Sequence, residues 1–198
     1  MRIISGTCRG RRLAALKGIN IRPTSDKVRE SIFNIIGQTL DGAEVLDLFA
    51  GTGAFGIECL SRGASGAVFV DIARDSCSVI RQNIELCGFT NQSVVFQYDA
   101  VKLNSAENIT LTQSNIKSKQ TDILSKQFDL IFADPPYEMG FVAKILKNKA
   151  ILKSLGSDSL MILEHTLKEK IPDDIEMLDI YDQRQYGKTL ISFFKQSS

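Results

Sequence analysis

Two hydrophobic rhythms alternate along the chain. Short apolar runs recur at Val45–Phe49, Ala67–Asp71, Ser93–Tyr98, Asp129–Ala133 and Leu160–Glu164, the pattern of strands buried on both faces. Between them lie helical spacings. Arg74–Leu86 is predicted as a helix with Cys77, Ile80, Ile84 and Cys87 on one stripe and Gly88 as its stop. Ala54–Ser61, closing at Gly63, and Phe141–Asn148 are read the same way. Further upstream, Thr24 and Ser25 offer N-caps to a helix carrying Val28, Ile32, Ile35 and Ile36 and stopping at Gly37. Such β-α alternation predicts an α/β fold: a mainly parallel, doubly wound sheet with right-handed crossovers and helices on both faces.

Three segments depart from this rhythm. Residues 1–22 hold only the apolar pieces Arg2-Ile3-Ile4 and Leu13–Leu16, split by Gly6, Gly10 and Gly18, which reads as a β-hairpin or extended arm. Residues 104–127 are rich in Asn, Ser, Thr, Gln and Lys and read as a polar, mobile insertion before the fourth strand. At the C-terminus, Ile175–Tyr181 and Thr189–Phe194 are strand-like and joined through Tyr186-Gly187-Lys188, so an antiparallel pair is expected to complete a seven-stranded sheet. The organisation expected is a basic arm (1–24) followed by one Rossmann-like domain (25–198).

Composition adds limits. With 43% hydrophobic and 24% charged residues the chain is neither disordered nor fibrous. No apolar run approaches the roughly 18 residues that span a bilayer, and the first residues lack a signal-peptide core, so a cytoplasmic, membrane-free protein is expected, and a monomer because no long exposed apolar stripe is evident. Cys8, Cys59, Cys77 and Cys87 form no CxxC pair and are read as free thiols, and with one histidine, His165, no metal site is expected. The formal charge of +1 hides an asymmetry. Residues 1–30 carry eight basic and two acidic side chains, a balance of +6, and the remainder sums to −5. A basic segment on a slightly acidic body points to phosphate contacts at one end, against the alternative of a solvated surface.

The first strand runs into Asp47-Leu48-Phe49-Ala50-Gly51-Thr52-Gly53-Ala54-Phe55-Gly56. Gly51, Gly53 and Gly56 satisfy GxGxxG between a strand and a helix, where a ligand can lie on bare backbone. Asp71 ends the second strand, 20 residues after Gly51, and an acid there can hold ribose hydroxyls. These features indicate a nucleoside cofactor without choosing between NAD and S-adenosylmethionine. Asp47 favours the latter: its carboxylate suits a methionyl ammonium, directly or through water, and repels a pyrophosphate. Asp99, after the third strand, can accept from an adenine amino group. Taken singly, Asp71 or Asp99 could equally be a helix cap and the glycines a tight turn. The candidate cofactor set is Asp47, Phe49, Gly51, Thr52, Gly53, Asp71, Ile72, Asp99 and Ala100.

Asp134-Pro135-Pro136-Tyr137 lies at the carboxyl end of the fourth strand, where open α/β sheets bind ligands. A base-conjugated amine is a poor nucleophile because its lone pair is delocalised. The Asp134 carboxylate and Pro135 carbonyl can accept its two hydrogens, the prolines stiffen the loop, and Tyr137 can stack on the planar substrate. The pair DLFAGTG and DPPY resembles the class I S-adenosylmethionine-dependent N-methyltransferases. Met1-Arg2-Ile3-Ile4-Ser5-Gly6, Arg9-Gly10-Arg11, and Arg22-Pro23-Thr24 with Asp26, Val28, Arg29, Glu30 and Phe33 resemble, more narrowly, the bacterial ribosomal RNA small subunit methyltransferase D family. That resemblance spans nearly the whole chain. It implies methylation of N2 of a guanine in 16S rRNA, with the assembled small subunit as substrate, Gly51, Gly53, Asp71 and Asp99 at the cofactor, and Asp134–Tyr137 as the catalytic motif. It further implies RNA contacts from the arm, with Arg2, Arg9, Arg11, Arg12, Arg22, Thr24 and Arg29 as candidates. The 104–127 stretch is longer than such a family leads one to expect. Adenine N6 or a glutamine amide would suit the same motif. A nicotinamide-dependent oxidoreductase would leave the motif and the arm unexplained, and a non-catalytic RNA-binding module would leave Asp134 and Tyr137 without a role. His165 is read as a satisfied structural histidine and Tyr186-Gly187-Lys188 as a hairpin turn.

Overall fold

The computed structural model describes residues 1–16, 26–104, 109–110, 120–121, 123–175 and 177–197. In chain order the elements are α1 (Asp26–Ile36), β1 (Glu44–Leu48), α2 (Ala54–Ser61), β2 (Gly66–Asp71), α3 (Arg74–Cys87), β3 (Ser93–Gln97), β4 (Ile109–Thr110), β5 (Gln120–Thr121), β6 (Phe128–Ala133), α4 (Phe141–Leu146), α5 (Lys149–Lys153), β7 (Leu155–Thr166), β8 (Leu178–Tyr186) and β9 (Thr189–Gln196). Seven strands form one sheet in the order β3-β2-β1-β6-β7-β9-β8, with β4 and β5 pairing separately. Pairing is parallel from β3 through β7 and antiparallel where β9 joins β7 and β8.

Alternation along each strand builds two cores. Val45, Phe69, Phe132 and Phe193 pack under α1, α2 and α3 on one face. Leu46, Leu48, Ile131 and Phe194 pack under α4 and α5 on the other. Burial on both faces is why β1 and β2 show no alternation of apolar and polar sides, with even Asp47 of β1 buried. All four cysteines are free and buried. Among the described residues no helix is long and apolar enough to cross a membrane.

The predicted 141–148 helix ends at Leu146, and a second short helix, α5, follows it. Asn148 caps this second helix, its side chain accepting from the Ala150 and Ile151 amides at 3.1 and 3.2 Å. The fifth strand starts at Leu155, five residues early, because the exposed Ser157 and Asp158 read as loop. β8 begins at Leu178 instead of Ile175. Within the polar insertion, the Ile123 and Leu124 side chains are buried against the second core, so its end is anchored there; most of the 104–127 reading lies outside the described residues.

Residues 1–16 form the expected hairpin, with Arg2 bridged to Arg12 and the Ile3 amide donating to the Arg11 carbonyl at 3.0 Å. It does not project as a free arm. Ile3, Cys8 and Leu13 are buried in the first core, and the fully buried Glu58 carboxylate of α2 accepts from the Ile4 and Ser5 amides at 2.8 and 2.9 Å. Gly6, at φ 77, lies against the end of α2, where a Cβ would fall 1.6 Å from the Ser61 carbonyl oxygen. Only glycine permits that approach.

Candidate active site

Beyond Leu48 the chain turns through Phe49, Gly51 and Gly53, at φ 57, 57 and 74, into α2. The Asp71 carboxylate, at the tip of β2, accepts from the Gly51 amide and the Ala73 amide, both at 2.8 Å. The glycine turn and the second-strand acid therefore form one unit, as their spacing anticipates. Asp47 lies beneath the turn, 1% exposed, accepting from the Gly56 amide at 3.0 Å. Burial pushes its pKa up to about 8; the Gly56 N–H opposes the shift and the Asp71 charge adds to it. Gly56 is a packing glycine, since a Cβ there would sit 2.4 Å from the Phe69 ring.

Other candidates surround this turn. Ile72, next to Asp71, is 65% exposed, an apolar side chain beside a carboxylate at the carboxyl edge of the sheet. Asp99 follows β3 and accepts from the Val101 amide at 3.2 Å, capping a short 3-10 turn that begins at the buried Ala100. It thus serves as a cap, whatever else it holds. Phe49 turns its ring onto Phe141 of α4, 5.5 Å between centroids. The Thr52 carbonyl accepts from Asn83 at 2.9 Å, and the same buried amide binds both backbone groups of Ala14. Asn83 ties the hairpin to the glycine turn. Sequence reasoning passed over it, because an Asn inside an amphipathic stripe gives no signal of what it meets.

Leu48 pairs with Ala133, which brings Asp134–Tyr137 alongside the glycine turn. Pro135 is buried and Pro136 exposed. The Tyr137 hydroxyl donates to Glu164 Oε1 at 2.8 Å, and the Thr189 side chain bonds it as well. Burial, then the Glu164 and Asp134 charges, raise the phenol pKa, so Tyr137 stays protonated. With its hydroxyl occupied by β7 and β9, Tyr137 presents its partly exposed ring. Glu164, 4% exposed, holds the Tyr137 hydroxyl, a partner that sequence reasoning missed; an acid closing an otherwise apolar strand was its only signal.

Arg2, Arg9, Arg11 and Arg12 are exposed, with Arg11 donating to the Leu86 carbonyl on α3. Arg29 corrects the expectation. It is 1% exposed, bonded to Asp26 at 3.0 Å and to the Arg2 carbonyl at 2.5 Å, and 3.8 Å from Glu58. A guanidinium sealed behind the hairpin holds the fold together and does not reach a phosphate. Arg22 and Thr24 lie outside the described residues. His165 is the structural histidine expected. Its Nδ1 donates to the Thr166 carbonyl, leaving Nε2 to accept from Ser192 at 2.8 Å, and burial lowers its pKa.

A parallel sheet with β9 inserted antiparallel beside β7, and glycine turn, acidic β2 tip and DPPY loop gathered at its carboxyl edge, defines the class I methyltransferase fold. The chain belongs to the family described as conserved hypothetical protein 95, whose model matches residues 1–195, and its relatives bear out membership of the ribosomal RNA small subunit methyltransferase D family. It is 34% identical over 197 residues to YlbH of Bacillus subtilis, covering 99% of each chain. It is 30% identical over 198 residues to ribosomal RNA small subunit methyltransferase D of Escherichia coli, covering 100% of this chain and 91% of that one. Among solved structures, yhhF from Escherichia coli superposes with a TM-score of 0.76 at 24% identity, covering 100% and 98% of the two chains, a likeness of fold.

Proposed function

We propose that this chain transfers a methyl group from S-adenosylmethionine to the exocyclic N2 amine of a guanine in 16S rRNA of the small ribosomal subunit. The observation that carries this reading is the adjacency of Asp134–Tyr137 to the Gly51–Gly53 turn and Asp71, beside a tyrosine whose ring is held by Glu164 and Thr189. The residues present fit the cofactor. Asp47 is a buried carboxyl beneath the glycine turn whose pKa is raised by burial, and a methionyl ammonium would give it a charge partner. Asp71 stands where ribose hydroxyls would bond, and the exposed Ile72 offers an apolar surface to adenine.

The cofactor, when bound, supplies a methyl made electrophilic by its cationic sulfur. The protein's part is orientation. Asp134 and the Pro135 carbonyl accept the two amine hydrogens, so the nitrogen lone pair is turned out of conjugation and toward the methyl. Tyr137 stacks on the base. Methyl transfer would leave positive charge on the amine nitrogen beside the Asp134 carboxylate, which would stabilise it until the proton is lost to solvent. Extrusion of the base into this pocket leaves the flanking phosphates to the exposed arginines of the hairpin.

Incubation with labelled S-adenosylmethionine and small subunits lacking the modification, followed by nucleoside mass spectrometry, is expected to yield N2-methylguanosine. N6-methyladenosine, or label in protein, would redirect the assignment. Asp134→Ala is expected to lower transfer by at least about 100-fold while S-adenosylhomocysteine still binds. Loss of both in a folded variant would count against the role given to Asp134.

A further inference from the structure

Among the described residues seven large apolar side chains are exposed, and three of them gather at one rim of the site: Tyr137, Met139 and Leu167, at 38%, 60% and 52%. Lys168 pairs with Glu138 at 3.0 Å, which sets the end of β7 beside the loop that carries Met139. The Leu167 amide donates to the Lys188 carbonyl at 3.4 Å, and Thr166 pairs with Thr189. The β8–β9 turn thereby joins the same rim. This turn is braced, because the Tyr186 hydroxyl bonds Ser31 of α1 and Gln185 donates to the Gly187 carbonyl at 2.9 Å. Lys168, Lys170 and Lys188 are all exposed around it.

On the deeper reading that rests on the proposed RNA-base methylation, we infer that this rim is a second RNA-contact surface, which holds the strand flanking the target base. Met139 and Leu167 take neighbouring unstacked bases, and Lys168 and Lys188 take phosphates. Unpaired nucleotides present apolar faces and anionic backbone together, which is the combination the rim complements. The Lys168–Glu138 pair is solvent-exposed and gives up little when a phosphate replaces the carboxylate. Position supports the same conclusion. The hairpin lies on the β1 side of Tyr137 and this rim on the β7–β9 side, so an extruded base would be gripped on both flanks.

Leu167→Ser and Lys188→Gln test this in the full chain, with small subunits from cells lacking the enzyme as substrate. Each variant is expected to raise the KM for subunits about 5-fold or more, with kcat and S-adenosylhomocysteine affinity unchanged. Lys188→Gln should also reduce the salt dependence of binding by roughly one unit of slope. Wild-type KM and slope in both variants, with methylation intact, would overturn the inference and leave the proposed function standing. A raised KM with unaltered binding of protein-free 16S rRNA would assign the rim to a ribosomal protein and overturn it too. Failure of the unaltered protein to methylate subunits would remove the functional reading and this inference with it.

Discussion

Asp47 is a carboxyl group sealed from water with one N–H for company. Because burial raises its pKa to about 8, the native protein keeps this proton at pH values where the unfolded chain has already released it. The native state binds more protons between the ordinary carboxylate range and pH 8, so this group's contribution to stability falls as pH rises through that window. Asp47→Asn is therefore expected to flatten the decline in melting temperature of the unliganded protein between pH 6 and 8, and to weaken S-adenosylhomocysteine binding about 10-fold by removing a charge partner. Thermal melts across pH and equilibrium dialysis measure the two effects; an unchanged pH profile would refute the assignment. The positions of Asp47, Gly51 and Asp71 about one turn, and of Tyr137 just beyond a strand end, were legible because each depends on local strand-turn spacing. Arg29 was not. A string of residues shows that an arginine is charged and leaves open whether it faces water or, as here, Asp26 and Glu58.

The hairpin shows how backbone demand decides where a segment rests. Its Ile4 and Ser5 amides need acceptors, and Glu58 supplies both while its carboxylate is also bonded by Arg62 at 2.9 Å and approached by Arg29. Removing one member of a buried ionic cluster leaves the others uncompensated. Glu58→Ala is expected to cost about 3–5 kcal/mol in urea unfolding and to speed proteolysis within residues 1–16. A destabilisation below about 1 kcal/mol would mean that the hairpin is held by its apolar residues alone. The elements most faithfully anticipated were those with a long unbroken period, such as α3 with its Cys77, Ile80, Ile84 and Cys87 stripe, all buried. The first residues of β7 and the start of α5 were missed because polar residues there answer to local pairing and capping, which periodicity does not encode.

Across the protein as a whole, charge and topology divide the labour. The sheet gathers the cofactor candidates at β1, β2 and β3 and the DPPY loop at β6, while the exposed arginines are carried by the hairpin. Replacing Arg9, Arg11 and Arg12 together is expected to weaken binding to small subunits and to lower the slope of log affinity against log salt by roughly 0.7–0.9 for each phosphate that is no longer neutralised. Affinity for S-adenosylhomocysteine should stay unchanged. An unaltered slope in salt titrations would make this a solvated surface. Since Arg11 already donates to the Leu86 carbonyl, a change carried mainly by Arg9 and Arg12 is the expected division.

The order of apolar and polar residues was sufficient to determine the α/β alternation, the glycine turn and the DPPY loop, because each depends on neighbours within a few positions. Tertiary structure alone decided that the hairpin docks on Glu58, that Asn83 links it to Thr52, that Glu164 and Thr189 hold Tyr137, and that Arg29 is internal. Those interactions join residues distant in the chain. Which partner a buried polar group finds is settled by the packing of whole elements, and no local pattern carries that information.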